Sequence, residues 1–286
     1  MGKQILDISY RGISKIENLP EGLEKFSCVF NSISKIENLP EGLKEFRCNK
    51  SSISKIENLP EGLEKFDCIA NSISKIEGVP EGLNEFYCGS NSISKIENLP
   101  KDLEVFSCSF NSISKIENLP EGLKRFNCIY NSISKIENIP ESLEKFHCSG
   151  NSISKIETLP KNLEVFNCGG NSISKIENLP EGLKEFICEG NSISKIENLP
   201  ISLVKFSISM IHVKFVDEVR RENIRFSLKG YSAIKRIQLR MKRRYRLKSA
   251  AAKIIQKGLY NWLWKPEGIV MRIETRNLQE TFGMFL

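Results

Sequence analysis

The sequence predicts a repeat solenoid with one parallel β-sheet, an extended convex side and an α-helical segment after the last repeat. Three observations predict it. A 20-residue unit, NSISKIENLPEGLKEFRCNK at 31–50, restarts at Ser51, Asn71, Asn91, Asn111, Asn131, Asn151, Asn171 and Asn191, with a slightly altered first copy at Arg11. The spacing never slips, and a fixed period of this size is the mark of stacked repeats. Counting Asn31 as position 1, the apolar positions are 3, 6, 9, 13, 16 and 18, filled mainly by Ile, Ile, Leu, Leu, Phe and Cys. Proline stands at position 10 of every unit, from Pro20 to Pro200. It lacks an N–H and fixes φ, so a helix inside the unit is disfavoured.

The elements follow in order. Residues 1–10 read as the second half of a unit, with Leu6 at the Phe position and Ile8 at the Cys position. This half-repeat is the N-terminal cap that a repeat stack needs for solubility. Ten repeats then fill 11–210. Within each, the stretch 43–48 alternates inward and outward with period 2, which predicts a strand with Leu43, Phe46 and Cys48 facing in. Stacked units place these strands side by side about 4.8 Å apart, so ten rungs make a rod roughly 50 Å long. The return path, Ile33 to Pro40, is extended or polyproline-like. Gly at position 12, as in Gly22 and Gly42, permits the turn back into the strand; Asp102, Ser142, Asn162 and Ser202 replace it in other units.

Asn at position 1 predicts a ladder whose carboxamides satisfy main-chain groups of their own and adjacent rungs. Ser51 breaks that ladder and predicts a local weak point. Lys at position 5 and Glu at position 7 occur in all ten units and read as opposed, solvated rows of charge. All nine cysteines stand at position 18, from Cys28 to Cys188. An odd count in an even ladder is not a disulfide framework. They read as reduced core thiols, no metal ligand set is expected, and a reducing, cytoplasmic location follows.

The pattern Leu-x-x-Phe-x-Cys-x-x-Asn-x-Ile-x-x-Ile-x-x-Leu-Pro resembles a leucine-rich repeat. The 20-residue length and Leu-Pro step are similar to the short repeats of bacterial effectors. The Phe and Cys substitutions and near-identical copies are similar to repeat proteins of giant DNA viruses. That resemblance implies an arc whose concave sheet binds a protein partner, in the host cytoplasm if the chain is viral. The units differ most at positions 17, 19 and 20, which nominates Phe30, Arg47, Lys50, Tyr87, Phe110, Tyr130 and His147 on the concave face. Aromatic residues and Arg are the usual interface anchors. The array itself is expected to be a monomer.

The net charge of +7 is unevenly placed. Residues 211–286 hold 18 Lys and Arg against 6 Asp and Glu, while 1–210 hold 24 against 29. The tail predicts a closing strand over 211–216 and helices over 217–228 and 232–263. Three roles stand open for it: a cap over the last rung, a phosphate-seeking arm for nucleic acid or an anionic membrane surface, or a calmodulin target. The last rests on residues 251–256 (AAKIIQ), which resemble the start of an IQ motif, although Tyr260 and Asn261 depart from it. The tail candidates are Arg240, Lys242, Arg243, Arg244 and Arg246 in the basic run, Gln256 in the IQ-like segment, and Trp262 and Trp264. No phosphate loop, zinc spacing or dinucleotide fingerprint occurs, so no enzyme and no cofactor are expected. The function expected is that of an interaction scaffold.

Overall fold

A computed structural model describes residues 4–208 apart from 157, 194, 197 and 198, together with the main chain of 214 and 215. The helices expected over 217–263 and all eight tail candidates, from Arg240 to Trp264, lie outside the described residues. The chain winds as a solenoid around an eleven-stranded parallel sheet, from Gln4–Asp7 to Lys205–Ser207, in sequence order. Each strand pairs with the next in a register of one full unit, so Phe46 lies beside Phe66 and Arg47 beside Asp67. The first pairing departs from this by a register shift between Gln4 and Ile5, where the cap joins the first full rung.

The strands are mostly three residues long, as in Glu45–Arg47, shorter than the stretch 43–48 suggests. Leu43 is held in the turn, its N–H donating to the Pro40 carbonyl at 3.1 Å. Cys48 lies just past the strand, yet its N–H still donates to Asp67 of the next rung at 2.8 Å. Its side chain therefore stays in the core. Every Phe at position 16 is buried, and neighbouring rings stack at 5.5–5.7 Å between centroids. Offset stacking at that spacing adds about 0.5–1.5 kcal/mol per pair beyond the area each ring removes from water. The Ile, Leu and Cys ladders complete one continuous core. Position 9 is its margin, buried at Leu59 and Leu119 but only half-buried at Leu39 and Leu99.

The convex side is extended, as Pro at position 10 requires. Among the described residues it pairs in short pieces: Lys115–Ile116 with Lys135–Ile136, Lys195–Ile196 with Lys214–Phe215, and a single bridge between Ile176 and Ile196. The closing strand expected over 211–216 thus appears at 214–215 and extends the convex side, not the main sheet. The Lys and Glu rows face solvent and pair within rungs, as at Lys35–Glu37 (3.9 Å) and Lys75–Glu77 (3.6 Å).

The asparagine ladder forms as the sequence suggests. Asn111 is representative: its Oδ1 accepts from the Ile93 N–H at 2.9 Å. Its Nδ2 donates to the carbonyls of Cys88 and Cys108 at 3.1 and 3.0 Å, one in each rung. At Ser51 the pattern fails, and the Ser51 hydroxyl oxygen is buried with no hydrogen-bond partner. Glycine at position 12 has a different role from the one expected of it. Only Gly22 has a positive φ (77°) there; Gly42, Gly62 and Gly82 do not. With ordinary φ no special freedom is needed, and polar residues can stand in. Ser142 Oγ donates to the Glu121 and Leu123 carbonyls at 2.6 and 2.8 Å, and Asn162 Nδ2 to Glu141 at 3.1 Å. The left-handed positions are elsewhere. Asn at position 8, as in Asn38 (φ 57°), and every described residue at position 20 up to Gly190 have positive φ except where Asn gives way to Thr158.

Candidate binding surface

Inward-facing Phe at position 16 forces positions 15 and 17 of each strand to point the other way, onto the concave face. Position 15 alternates in charge along the first rungs. Lys25 pairs with Glu45 at 2.6 Å and Lys65 with Glu85 at 2.7 Å; at the far end Lys205 pairs with Glu185 at 3.0 Å. Position 14 repeats the device, with Lys44–Glu64 at 3.1 Å and Lys124–Glu104 at 2.7 Å. Val105, buried, and Val165, half-buried, interrupt the charged row at position 15.

Three of the sequence-derived candidates stand at position 17. Arg47 is held by Glu45 at 2.6 Å. Burial works against ionisation of that carboxyl, but Lys25 and Arg47 together outweigh it and hold Glu45 below its usual range. Tyr87 donates its O–H to Glu85 Oε2 at 2.9 Å, and the Lys65 ammonium lies 5.4 Å from its ring centroid. Burial first, and the Glu85 carboxylate second, push the Tyr87 phenol up to about 12. The hydrogen bond from Lys65, reinforced by that from Tyr87, draws Glu85 down. His147 is half-buried, and burial lowers its pKa; Lys145 and Lys205 act in the same direction, and Glu185 opposes them. Its neutral form is favoured for that reason.

The other four candidates stand at position 20, in the left-handed turn that follows each strand. There they form a second column. Phe30 stacks on Tyr10 at 4.5 Å between centroids, and the Lys50 ammonium lies 4.1 Å from the centre of the Phe30 ring. Phe110 packs on Tyr130 at 4.8 Å. Tyr130 in turn lies across Gly150, where an added Cβ would come within 2.5 Å of the ring. The seven candidates therefore form no single cluster. Phe30 with Lys50, and Phe110 with Tyr130, are brought together; Arg47, Tyr87 and His147 are separated by two and three rungs.

Comparison among units did not nominate Lys65, Glu85 or Tyr10. Lys65 and Glu85 fix Tyr87, and Tyr10 extends the Phe30 stack. The signal for the first two was the Lys–Glu alternation at position 15 over the first four rungs. For Tyr10 it was membership of position 20 in the half-repeat. A second buried orphan lies on this face: Asp67 Oδ2 accepts from Asn49 at 2.9 Å, while its Oδ1 has no partner. Among the described residues, no three His, Cys, Asp or Glu side chains converge as a metal site requires.

No protein-family model and no curated protein matches the sequence. Solved structures do. The chain is similar to the InlJ functional domain of Listeria monocytogenes, which includes a cysteine ladder, with a TM-score of 0.65 at 20% identity, over 78% of this chain and 57% of that one. It is similar to YopM from Yersinia enterocolitica, with a TM-score of 0.53 at 19% identity, over 74% of this chain and 60% of that one. The chain thus spans less than two thirds of either. It is also similar to the repeat domain of FLRT2, solved in an octameric complex with latrophilin 3 and Unc5D, with a TM-score of 0.57 at 18% identity, over 75% and 76% of the two chains. These likenesses, the 20-residue winding and the buried Phe and Cys ladders agree: the chain folds as a leucine-rich-repeat solenoid.

Proposed function

We propose that the array is a protein-interaction scaffold that takes its partner on the concave sheet face. One observation carries the reading. Scaffold positions repeat almost unchanged, whereas position 17 presents Arg47, Asp67, Tyr87, Asn127, His147 and Ile187 in turn on a backbone of constant register. Arg47 and Tyr87 are pre-ordered by Glu45 and Glu85, so their rotamers are fixed before a partner arrives, and preorganisation lowers the entropic cost of binding. FLRT2, similar in fold, is seen in complex with protein partners. The nine unpaired, buried thiols support work in a reducing compartment, the cytoplasm, where thiols persist.

Proximity labelling with the full chain would supply the partner. Capture of that partner by Arg47→Ala, Tyr87→Ala and His147→Ala variants is expected to fall, while Lys35→Ala and Lys75→Ala on the convex side leave it intact. Equal capture by all five variants refutes the concave-face reading. The charge of 211–286 supports a second reading, in which the tail binds phosphate-bearing partners or calmodulin and the repeats act as a spacer. Binding of nucleic acid or anionic vesicles that weakens steeply with salt, or calcium-dependent binding of calmodulin, would then survive the concave-face variants and vanish on removal of 211–286.

A further inference from the structure

The left-handed column at position 20 has a symmetry that the concave-face reading does not use. Counted outward from Ala70, it reads alike in both directions. One rung away stand Lys50 and Ser90; two rungs away, Phe30 and Phe110; three rungs away, Tyr10 and Tyr130. All seven have φ between 51° and 58°, so all seven side chains leave the backbone in the same way. Equal rung counts are equal distances at about 4.8 Å per rung. The Phe backbones therefore lie about 10 Å, and the Tyr backbones about 14 Å, on either side of Ala70. Beyond Tyr130 the side chains stop, at Gly150, Gly170 and Gly190.

We propose that this column is the isologous interface of a homodimer, two copies lying antiparallel with the twofold axis at Ala70. It replaces the monomer expected from the sequence, and it is independent of the concave-face reading. A twofold contact requires that residue i meet residue j of the second copy and j meet i. The column supplies that throughout: Phe30 meets Phe110, Tyr10 meets Tyr130, and Lys50 meets the uncharged Ser90. Ala70, the smallest side chain of the seven, lies where the two backbones approach most closely.

The exposed surface is of the right size. Tyr10, Phe30, Phe110 and Tyr130 are 72%, 40%, 55% and 57% exposed. With about 150–250 Å² per aromatic side chain, the four rings offer on the order of 450 Å² per copy. That is more than half of the ~800 Å² that each partner contributes to a standard interface, and Val29, Ile129 and the main chain of seven rungs flank it. The rings are already stacked in pairs, so little rotamer freedom remains to be lost on association.

Sedimentation of the full chain over a concentration series is expected to show a monomer–dimer equilibrium. Phe110→Gly and Tyr130→Gly suit the positive φ at those sites and match the residue that nature places at Gly150, so the fold is kept, as circular dichroism checks. Each should weaken the dimer about tenfold or more, as loss of an aromatic anchor does. Ala70→Cys should cross-link to itself under mild oxidation, because the axis brings the two copies of residue 70 together. Lys50→Cys alone should not, but mixed with Ser90→Cys it should. The native thiols do not interfere, being at most 1% exposed. A monomer at every concentration up to the solubility limit overturns the proposal. So does a dimer indifferent to both glycine variants, or one in which Ala70→Cys fails to cross-link.

Discussion

Replacing Ser51 by Asn should stabilise the array by repairing the break in the asparagine ladder between Asn31 and Asn71. In intact rungs the carboxamide accepts from the N–H at position 3 of the preceding unit, as from Ile53 to Asn71 at 3.1 Å, and donates to two Cys carbonyls. At Ser51 the hydroxyl oxygen is buried without a partner, and Ser has no carboxamide oxygen to offer the Ile33 N–H as Asn71 offers Ile53. The Cys28 and Cys48 carbonyls already accept from Asn31 and Asn71, so a third and fourth bond to them count for less. The gain is then dominated by two terms: about 1 kcal/mol for the new hydrogen bond to Ile33, and about 1–3 kcal/mol for removing an orphaned buried hydroxyl. A gain of ~2–4 kcal/mol follows. At about 2–4 °C per kcal/mol for a chain of this size, the melting temperature should rise by about 4–16 °C. Denaturant melts should show a higher midpoint at unchanged slope. Hydrogen exchange localises the effect, with the Ile33 amide becoming protected. The reverse change, Asn111→Ser, should recreate the defect and lower the midpoint. If Ser51→Asn leaves both the midpoint and the Ile33 exchange rate unchanged, the ladder does not carry the energy assigned to it.

Three further outcomes are expected. The cysteine thiols should make the fold sensitive to alkali: burial raises them, Cys28 to about 12 and Cys48, Cys68 and Cys88 well above 9.0. Above pH 9 the unfolded chain loses these protons and the folded chain does not. Stability should therefore be complete below pH 9 and fall with rising pH by about 1.4 kcal/mol per thiol per pH unit; chemical melts from pH 8 to 11 test this, and a flat profile refutes it. Gly42→Ala should be neutral or stabilising by about 0.4–1 kcal/mol, since φ is ordinary there and nothing lies within 4 Å of an added Cβ; Gly150→Ala should destabilise, because its φ is +67° and the Cβ would strike the Tyr130 ring. Phe106→Ala should cost about 3–5 kcal/mol in a denaturant melt, because Phe106 is fully buried and stacked on Phe86 and Phe126.

The scaffold was legible in the sequence because each of its parts is a repeated residue type with one physical job. Phe46, Cys48, Ile33 and Asn31 recur at fixed spacing, and spacing alone fixes which face each occupies. Ser51 was legible as a defect for the same reason. What spacing does not encode is backbone handedness. Position 20 tolerates Phe30, Lys50, Ala70 and Gly150, so no residue preference betrays its positive φ; only the run of glycines at 150, 170 and 190 hints at it. Position 12 misled in the opposite direction, since Gly42 looks indispensable until its ordinary φ is seen. Ring contacts such as Tyr130 across Gly150 depend on rotamers, which the repeat pattern leaves open.

In-register stacking sets like residues about 4.8 Å apart along every column. For Phe and Asn this is an advantage, because rings stack and carboxamides bridge. For a charged column it is a liability, because identical charges repel at that distance. Two solutions are visible. On the convex side Lys at position 5 never varies, and Glu two residues later in the same rung offsets each one, as at Lys75–Glu77. On the concave side the first four rungs alternate at position 15, as at Lys25–Glu45 and Lys65–Glu85, although Arg125 and Lys145 stand side by side further on. The alternation at position 15 from Lys25 to Glu85 thus relieves the repulsion of the stack where it occurs. Position 17 is under no such rule. Its sequence of Ser, Arg, Asp, Tyr, Ser, Asn, His, Asn, Ile and Ser follows no alternation, and only the Arg47–Asp67 step juxtaposes opposite charges. That column is where the concave face has latitude to encode a partner, and the variants that test binding belong there.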